Sequence, residues 1–374
     1  MLSTTKTSCL IAIAVHTLST QVLPQESSPQ GFRFHRDDDQ HVVAVQYWGS
    51  TGLRSGKLHE FPKLDCVYIT YGTGLTKDDV AYLSTLTNLE ELEIGQDLVD
   101  TPVTIEGDLS KLANLKSLEW LHLCKQNPRD TDLAFVASLP KLTHLEFNAD
   151  SEFHGGKTTI TDQCGDFLRQ AKSLESVYIQ GDGRLTDKFV SKLANGLPKL
   201  EHLNMRCDRL TDESLRLLAL HSKNLNWLDI SSDKFSDRGV KHLSNAKNLR
   251  RLWLDSSSLS KACVEHVKGL RKLKHLELTI PTIDDGGVKV IASLRRLELL
   301  ALRQPALTNE QFAIFRDHPR LESAFINGTK LDDERTVELI GQIPNLSHLS
   351  VGSKNPDLQA AINGAILQKP NSRD

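Results

Sequence analysis

Apolar residues recur along this chain in a two-part rhythm. The first part is a six-residue stretch of the form L-x-x-L-x-L, as in Leu200-Glu201-His202-Leu203-Asn204-Met205 and again from Leu225, Leu249 and Leu273. Alternation with a period of two predicts a strand with one buried face. The second part follows some ten residues later, with apolar positions at helical spacing: Phe189, Val190 and Leu193, then Leu215 and Leu218. The strand motif begins at Leu64, Leu89, Leu118, Leu142, Leu174, Leu200, Leu225, Leu249, Leu273, Leu297, Leu321 and Leu346, and a degenerate copy, Val42 to Tyr47, precedes them. This spacing, mostly 24 or 25 residues, predicts about thirteen strand–loop–helix coils.

Between strand and helix stands Leu-Thr-Asp or a variant: Leu75-Thr76-Lys77, Ile160-Thr161-Asp162, Leu185-Thr186-Asp187, Leu210-Thr211-Asp212, Phe235-Ser236-Asp237, Leu307-Thr308-Asn309 and Leu331-Asp332-Asp333. A Thr or Ser there accepts from the free N–H groups of the first helical turn, and an acidic neighbour suits the positive helix end. Pro62, Pro140, Pro198, Pro319 and Pro344 stand two residues ahead of a strand leucine, where a helix cannot continue. One coil cannot bury its apolar face alone, so the coils are expected to stack around a continuous core. Strands are narrower than helices, so the stack curves, with a concave sheet on the order of 60 Å long at roughly 4.8 Å per strand. Residues 26–62 are expected to form a linker and amino-terminal cap, 63–352 the array, and 353–374 a carboxy-terminal cap and tail.

The L-x-x-L-x-L strand followed by L-T-D and an apolar helix resembles the leucine-rich-repeat superfamily over residues 42–352. The nearest likeness is to its ribonuclease-inhibitor-like and cysteine-containing classes. That resemblance implies an α/β fold, a right-handed horseshoe solenoid with a parallel concave sheet, and protein–protein recognition as its use. It also allows the substrate-reading arm of a ubiquitin ligase, although no F-box-like helical segment is legible ahead of the repeats. Where many members place a thiol or amide after the strand, this chain often reads Asp, as at Asp97, Asp208 and Asp233.

Composition adds limits. The chain is 39% hydrophobic and 25% charged with a net charge of −3, which provides no global positive field for nucleic acid or an anionic membrane. Residues 1–25 carry Lys6 and then the apolar run Cys9 to Val15, which resembles a signal peptide or a disordered extension and is too short to span a bilayer. A secreted, periplasmic or envelope location is therefore expected, with the cytoplasm as the alternative. Cys66, Cys124, Cys164, Cys207 and Cys263 are scattered and odd in number, which predicts buried thiols and neither a disulfide framework nor a zinc site.

The search for chemistry is short. His154-Gly155-Gly156-Lys157-Thr158 lacks the first glycine of a phosphate loop, since Ser151 stands there, and Gly181-Asp182-Gly183 reads as an extra turn. His144, His202, His275 and His348 share the third strand position but lie on non-adjacent coils, roughly 10 Å or more apart, too far for one metal ion. Asp37-Asp38-Asp39 lacks calcium-loop spacing and is expected to be a solvated linker. Asn327-Gly328-Thr329 is a glycosylation sequon. No nucleophile comes with a base and an orienting group, so neither catalysis, metal nor cofactor is expected.

Outward strand positions, taken as the second, third and fifth, carry twelve acids and three bases, which predicts an acidic concave face that steers in a basic protein partner. One patch departs from it. Trp227, Arg251 and His275 hold the third position of consecutive coils, with Asp229, Trp253 and Glu277 at the fifth. Two exposed tryptophans flanking an arginine form the expected hot spot; sheet cover, with Trp253 stacked on Arg251, is the competing reading. The coils starting at Leu89 and Leu142 are longer, and their extra residues, near 95–104 and 148–159, give a second candidate on the loop rim. The expected function is a protein-recognition scaffold. The alternatives are a ubiquitin-ligase substrate receptor and a secreted or envelope structural protein.

Overall fold

The leucines of successive coils stack because each is alone unable to leave water. In a computed structural model, Leu203, Leu228, Leu252 and Leu276 are completely buried, one above another across adjacent strands. The structure describes residues 31–49, 51–70, 74–95, 103–125, 127–148, 160–180, 184–303, 307–326, 331, 334–352 and 356–367. The residues expected to form a leader, the glycine-containing fragments from His154 and Gly181, Asp97, the Asp332-Asp333 pair and the sequon at Asn327 lie outside the described residues.

Fourteen strands form one sheet in strict chain order. They are β1 Phe32–Arg36, β2 Val42–Tyr47, β3 Cys66–Ile69, β4 Glu91–Ile94, β5 Trp120–Leu123, β6 His144–Asn148 and β7 Ser176–Gln180. Then follow β8 His202–Arg206, β9 Trp227–Ser231, β10 Arg251–Asp255, β11 His275–Thr279, β12 Leu299–Arg303, β13 Ser323–Ile326 and β14 His348–Val351. From β2 onward all pairs are parallel; β1 pairs antiparallel with β2. The chain is an α/β leucine-rich-repeat solenoid. Asp37 to Asp39, expected in a linker, instead lie at the tip of the β1–β2 hairpin, where the Asp37 carboxylate accepts the His41 N–H at 2.8 Å. The alternation of Phe32 and Phe34, packed with Tyr47 and Phe61, supplies the apolar face that makes this segment a strand.

Helices lie on the other side. Thr76, Thr186, Thr211, Ser236 and Thr308 cap them as the sequence predicts. Two coils differ, with 3-10 helices at Leu109–Asn114 and Asp130–Ser138. The hydrogen-bonding position after the strand lies one residue earlier than expected. Cys207 donates to the Leu185 carbonyl at 2.9 Å, Ser232 to Leu210 at 2.7 Å and Ser256 to Phe235 at 2.8 Å, while Asp208 and Asp233 are exposed and Asp233 accepts the Ser257 N–H at 3.0 Å. The inward side chain must satisfy the loop carbonyl because no water reaches it. All five described cysteines are buried and unbridged.

Candidate functional site

Strand register fixes which side chains face out of the sheet. In β9 the core takes Leu228 and Ile230, so Trp227, Asp229 and Ser231 face the concave side. The parallel pairing then sets His202, Trp227, Arg251 and His275 side by side, and likewise Asn204, Asp229, Trp253 and Glu277. All six residues expected in the patch are thus brought together.

Their burial is not what the sequence predicts. Asp229 is 1% exposed and Trp253 8%, so neither is a contact surface. Side chains on neighbouring parallel strands stand close enough for larger neighbours to cover them. Asp229 is the anchor: the Trp227 indole N–H donates to its Oδ2 at 2.7 Å, and the Arg251 guanidinium reaches Oδ2 at 2.9 Å and Oδ1 at 3.2 Å. The same guanidinium stacks over the Trp227 ring, 4.2 Å from its centre. Burial raises the Asp229 carboxyl above the usual range, and the Trp227 hydrogen bond and the Arg251 charge oppose that rise. The sheet-cover reading stacks Trp253 on Arg251; the ring instead carries Arg206, 4.7 Å from its centre, reaching across from β8. The Trp253 indole N–H is buried without a hydrogen-bond acceptor.

Arg206 and Arg303 stand at the seventh strand position, beyond the second, third and fifth positions from which the sequence predicts the outward face. Arg303 places Nε and Nη2 at 2.9 and 2.6 Å from Glu277 Oε1. A seventh-position column follows from the same period of two, and that was the available signal. His275 and His202 are half-buried, and burial lowers both below an ordinary histidine. His202 also sits 2.9 Å from Ser176 Oγ and 5.3 Å, ring to ring, from Trp227. What the patch offers to solvent is the partly exposed Trp227, Arg251 and His275, and the two exposed arginines Arg206 and Arg303.

The amino-terminal strands carry a different concave surface. Ala44, Cys66 and Tyr68 form a small buried cluster apart from the main core, and the Tyr68 hydroxyl donates to Glu91 Oε2 at 2.9 Å. Burial raises the Glu91 carboxyl, and it raises Glu90 together with the charges of Glu119 and Asp65. His122 is buried among these side chains, its Nδ1 4.0 Å from Glu93 Oε1. Among the described residues the one group with metal-binding spacing is Asp37, Asp39 and His41, at the hairpin tip. The Lys63 ammonium lies 3.2 Å from His41 Nδ1, where a cation would have to approach. A surface hollow of about 410 Å³ lies beside the helix Asp187–Gly196. Its Lys172 and Lys192 ammonium groups bond backbone carbonyls at 2.7 Å, and Arg169 and Lys192 pair with Asp166. No described helix is long and apolar enough to cross a membrane.

No protein-family profile matches the sequence, and neither does any curated protein. Solved leucine-rich-repeat structures do match the fold. TLR13, solved in complex with ssRNA13, is 20% identical with a TM-score of 0.50, over 78% of this chain and 40% of the other. An internalin from Listeria monocytogenes is 21% identical over 86% of this chain and 85% of its own, with a TM-score of 0.48. PEPR1, solved with AtPEP1, is 16% identical over 91% and 51%, with a TM-score of 0.39. This chain therefore spans less than half the length of the TLR13 chain it matches.

Proposed function

We propose that the protein is a recognition scaffold that holds a protein partner on its concave face, with a basic surface of that partner set against the acidic amino-terminal strands. The observation that carries this reading is the Trp227–Asp229–Arg251 assembly. A buried carboxylate locks a tryptophan and an arginine in one orientation before any partner arrives, so little entropy is lost when they are used. Trp227, Arg251 and His275 supply the contact, while Asp229, Trp253 and Glu277 hold them and their neighbours in place. The acidic amino-terminal strands supply long-range attraction. The 24- to 25-residue coils and the buried thiol after β8 support the cysteine-containing, ribonuclease-inhibitor-like class. The β1–β2 hairpin and the helix Pro356–Leu367, packed on β14, support reading the two ends as caps. A secreted or envelope location agrees with the apolar run near the amino terminus.

The test is quantitative capture from the native source, using wild type beside a Trp227→Ala, His275→Ala variant with an unchanged circular-dichroism spectrum. A protein retained by wild type and depleted about tenfold by the variant, equivalent to roughly 1.4 kcal/mol, supports the reading. Equal capture by both moves the site off this patch.

A further inference from the structure

The edge of the solenoid where strands begin carries charge in a pattern that the concave face does not explain. In each coil it is formed by the two residues before the first strand leucine and the one after it. Through the coil of β8 the edge is balanced: Lys63, Lys116, Lys141, Lys172 and Lys199 stand beside Asp65, Glu90, Glu119, Glu175 and Glu201. From β9 to β13 the balance breaks, with nine cations against Glu298 and Glu322. The residue after the leucine switches from acid to base at Arg250 and Lys274, whose backbones are bonded rung to rung at 2.7 Å.

Helix ends account for part of this. Lys223, Lys247 and Arg295 donate to backbone carbonyls, as cations at helix carboxy termini do; Lys272 bonds Asn248, and Lys274 pairs with Glu298 at 2.8 Å. Arg250, Arg271, Arg296 and Arg320 are different. All four are exposed, and among the described residues none makes an ion pair or a side-chain hydrogen bond. No capping role explains them.

We propose that this edge, from the coil of β9 to that of β13, docks an acidic polypeptide segment. An exposed guanidinium presents a planar fork of donors that matches a carboxylate. No aromatic side chain occupies the edge positions of these coils, so bases of a single-stranded nucleic acid would find no stacking platform. Glu298 and Glu322 interrupt the row, and a polypeptide can set a neutral residue opposite them, whereas a phosphodiester chain brings charge at every unit. The surface lies beside the concave patch but uses none of its residues, so it stands whether or not that patch binds.

The probe is a fluorescent oligo-glutamate peptide, with binding read by anisotropy against the full-length protein at low and moderate salt. Each exposed ion pair is individually weak but three are reversed at once, so Arg271→Glu, Arg296→Glu and Arg320→Glu together are expected to weaken binding about tenfold or more. Lys141→Glu with Lys199→Glu, on the balanced half, is expected to change it less than about twofold. The corresponding Arg→Gln triple variant repeats the loss without charge reversal, and circular dichroism checks all variants. Absence of oligo-glutamate binding at low salt overturns the proposal, and so does equal loss in both halves. Tighter binding of a charge-matched oligo-dT that the triple variant abolishes assigns the edge to nucleic acid instead.

Discussion

The Asp187 carboxylate receives both the backbone N–H of Thr211, at 2.9 Å, and its hydroxyl, at 2.7 Å. Thr211 in turn caps its own helix by accepting from the Glu213 N–H. The same pair of hydrogen bonds is donated by Thr161 to Asp130, Thr186 to Asp162, Ser236 to Asp212 and Ser260 to Asp237. The Leu-Thr-Asp motif is therefore a ladder between coils as well as a helix cap, with each Asp fastening the next coil.

Breaking one rung should cost more than losing a cap. Asp187→Ala strands two donors of Thr211, and charged hydrogen bonds contribute about 1.5–3 kcal/mol, so a loss of about 2–3 kcal/mol is expected. Thr211→Ala is expected to cost about 1–2 kcal/mol, with the two coupled by at least about 0.5 kcal/mol in a double-mutant cycle. Urea denaturation followed by circular dichroism measures this. Additive losses would mean that the ladder contributes nothing beyond the cap.

The two concave tryptophans should respond oppositely to loss of the indole N–H. Trp227→Phe removes a donor from buried Asp229 and is expected to destabilise by about 1–2 kcal/mol. Trp253→Phe removes a buried donor that has no acceptor and is expected to be neutral or stabilising within about 1 kcal/mol. Denaturation midpoints of the two variants, compared with wild type, decide it. Equal destabilisation would show that Trp253 contributes through its bulk.

Stability should fall as pH drops below about 6.5. Burial lowers His144, His202, His275 and His318 below the ordinary value of 6.5. As pH falls through that value the unfolded chain takes up protons that the folded protein resists, so the unfolded state gains. His318 is the clearest case, since Nδ1 accepts the Leu321 N–H at 3.1 Å while Nε2 lies 3.1 Å from the Leu294 carbonyl. Asp229 and Glu91, whose carboxyls are raised, act oppositely: folding gains as pH falls from their raised values towards the ordinary carboxylate range. Urea midpoints at pH 7.5 and 6.0 should differ in wild type and differ less in His318→Gln; a flat wild-type profile would refute this.

The thiols should be silent in the native protein. Burial and the Asp237 charge push Cys263 up to about 12, and burial also raises Cys66 and Cys164. Only the thiolate attacks, so at pH 8 a disulfide reagent is expected to react on the order of a hundredfold more slowly than in denaturant. Fast labelling of the folded protein would contradict the buried assignment.

The sequence by itself determined the coil. A strict period in leucines forces stacking whatever the side chains between them, because each unburied leucine costs about 1.5–3 kcal/mol. That is why the strands, the helix caps at Thr186 and Thr211, and the shared columns of Trp227, Arg251 and His275 could all be read in advance. Tertiary structure alone decided what those columns do. Whether Asp229 is a surface charge or a buried anchor depends on the side chains beside it on the neighbouring strands, and those contacts are set by rotamers. The reach of Arg206 across to Trp253, and of Asp187 to Thr211, likewise joins residues more than twenty positions apart. Periodicity fixes where a backbone goes; which polar atoms then find each other is settled only in three dimensions.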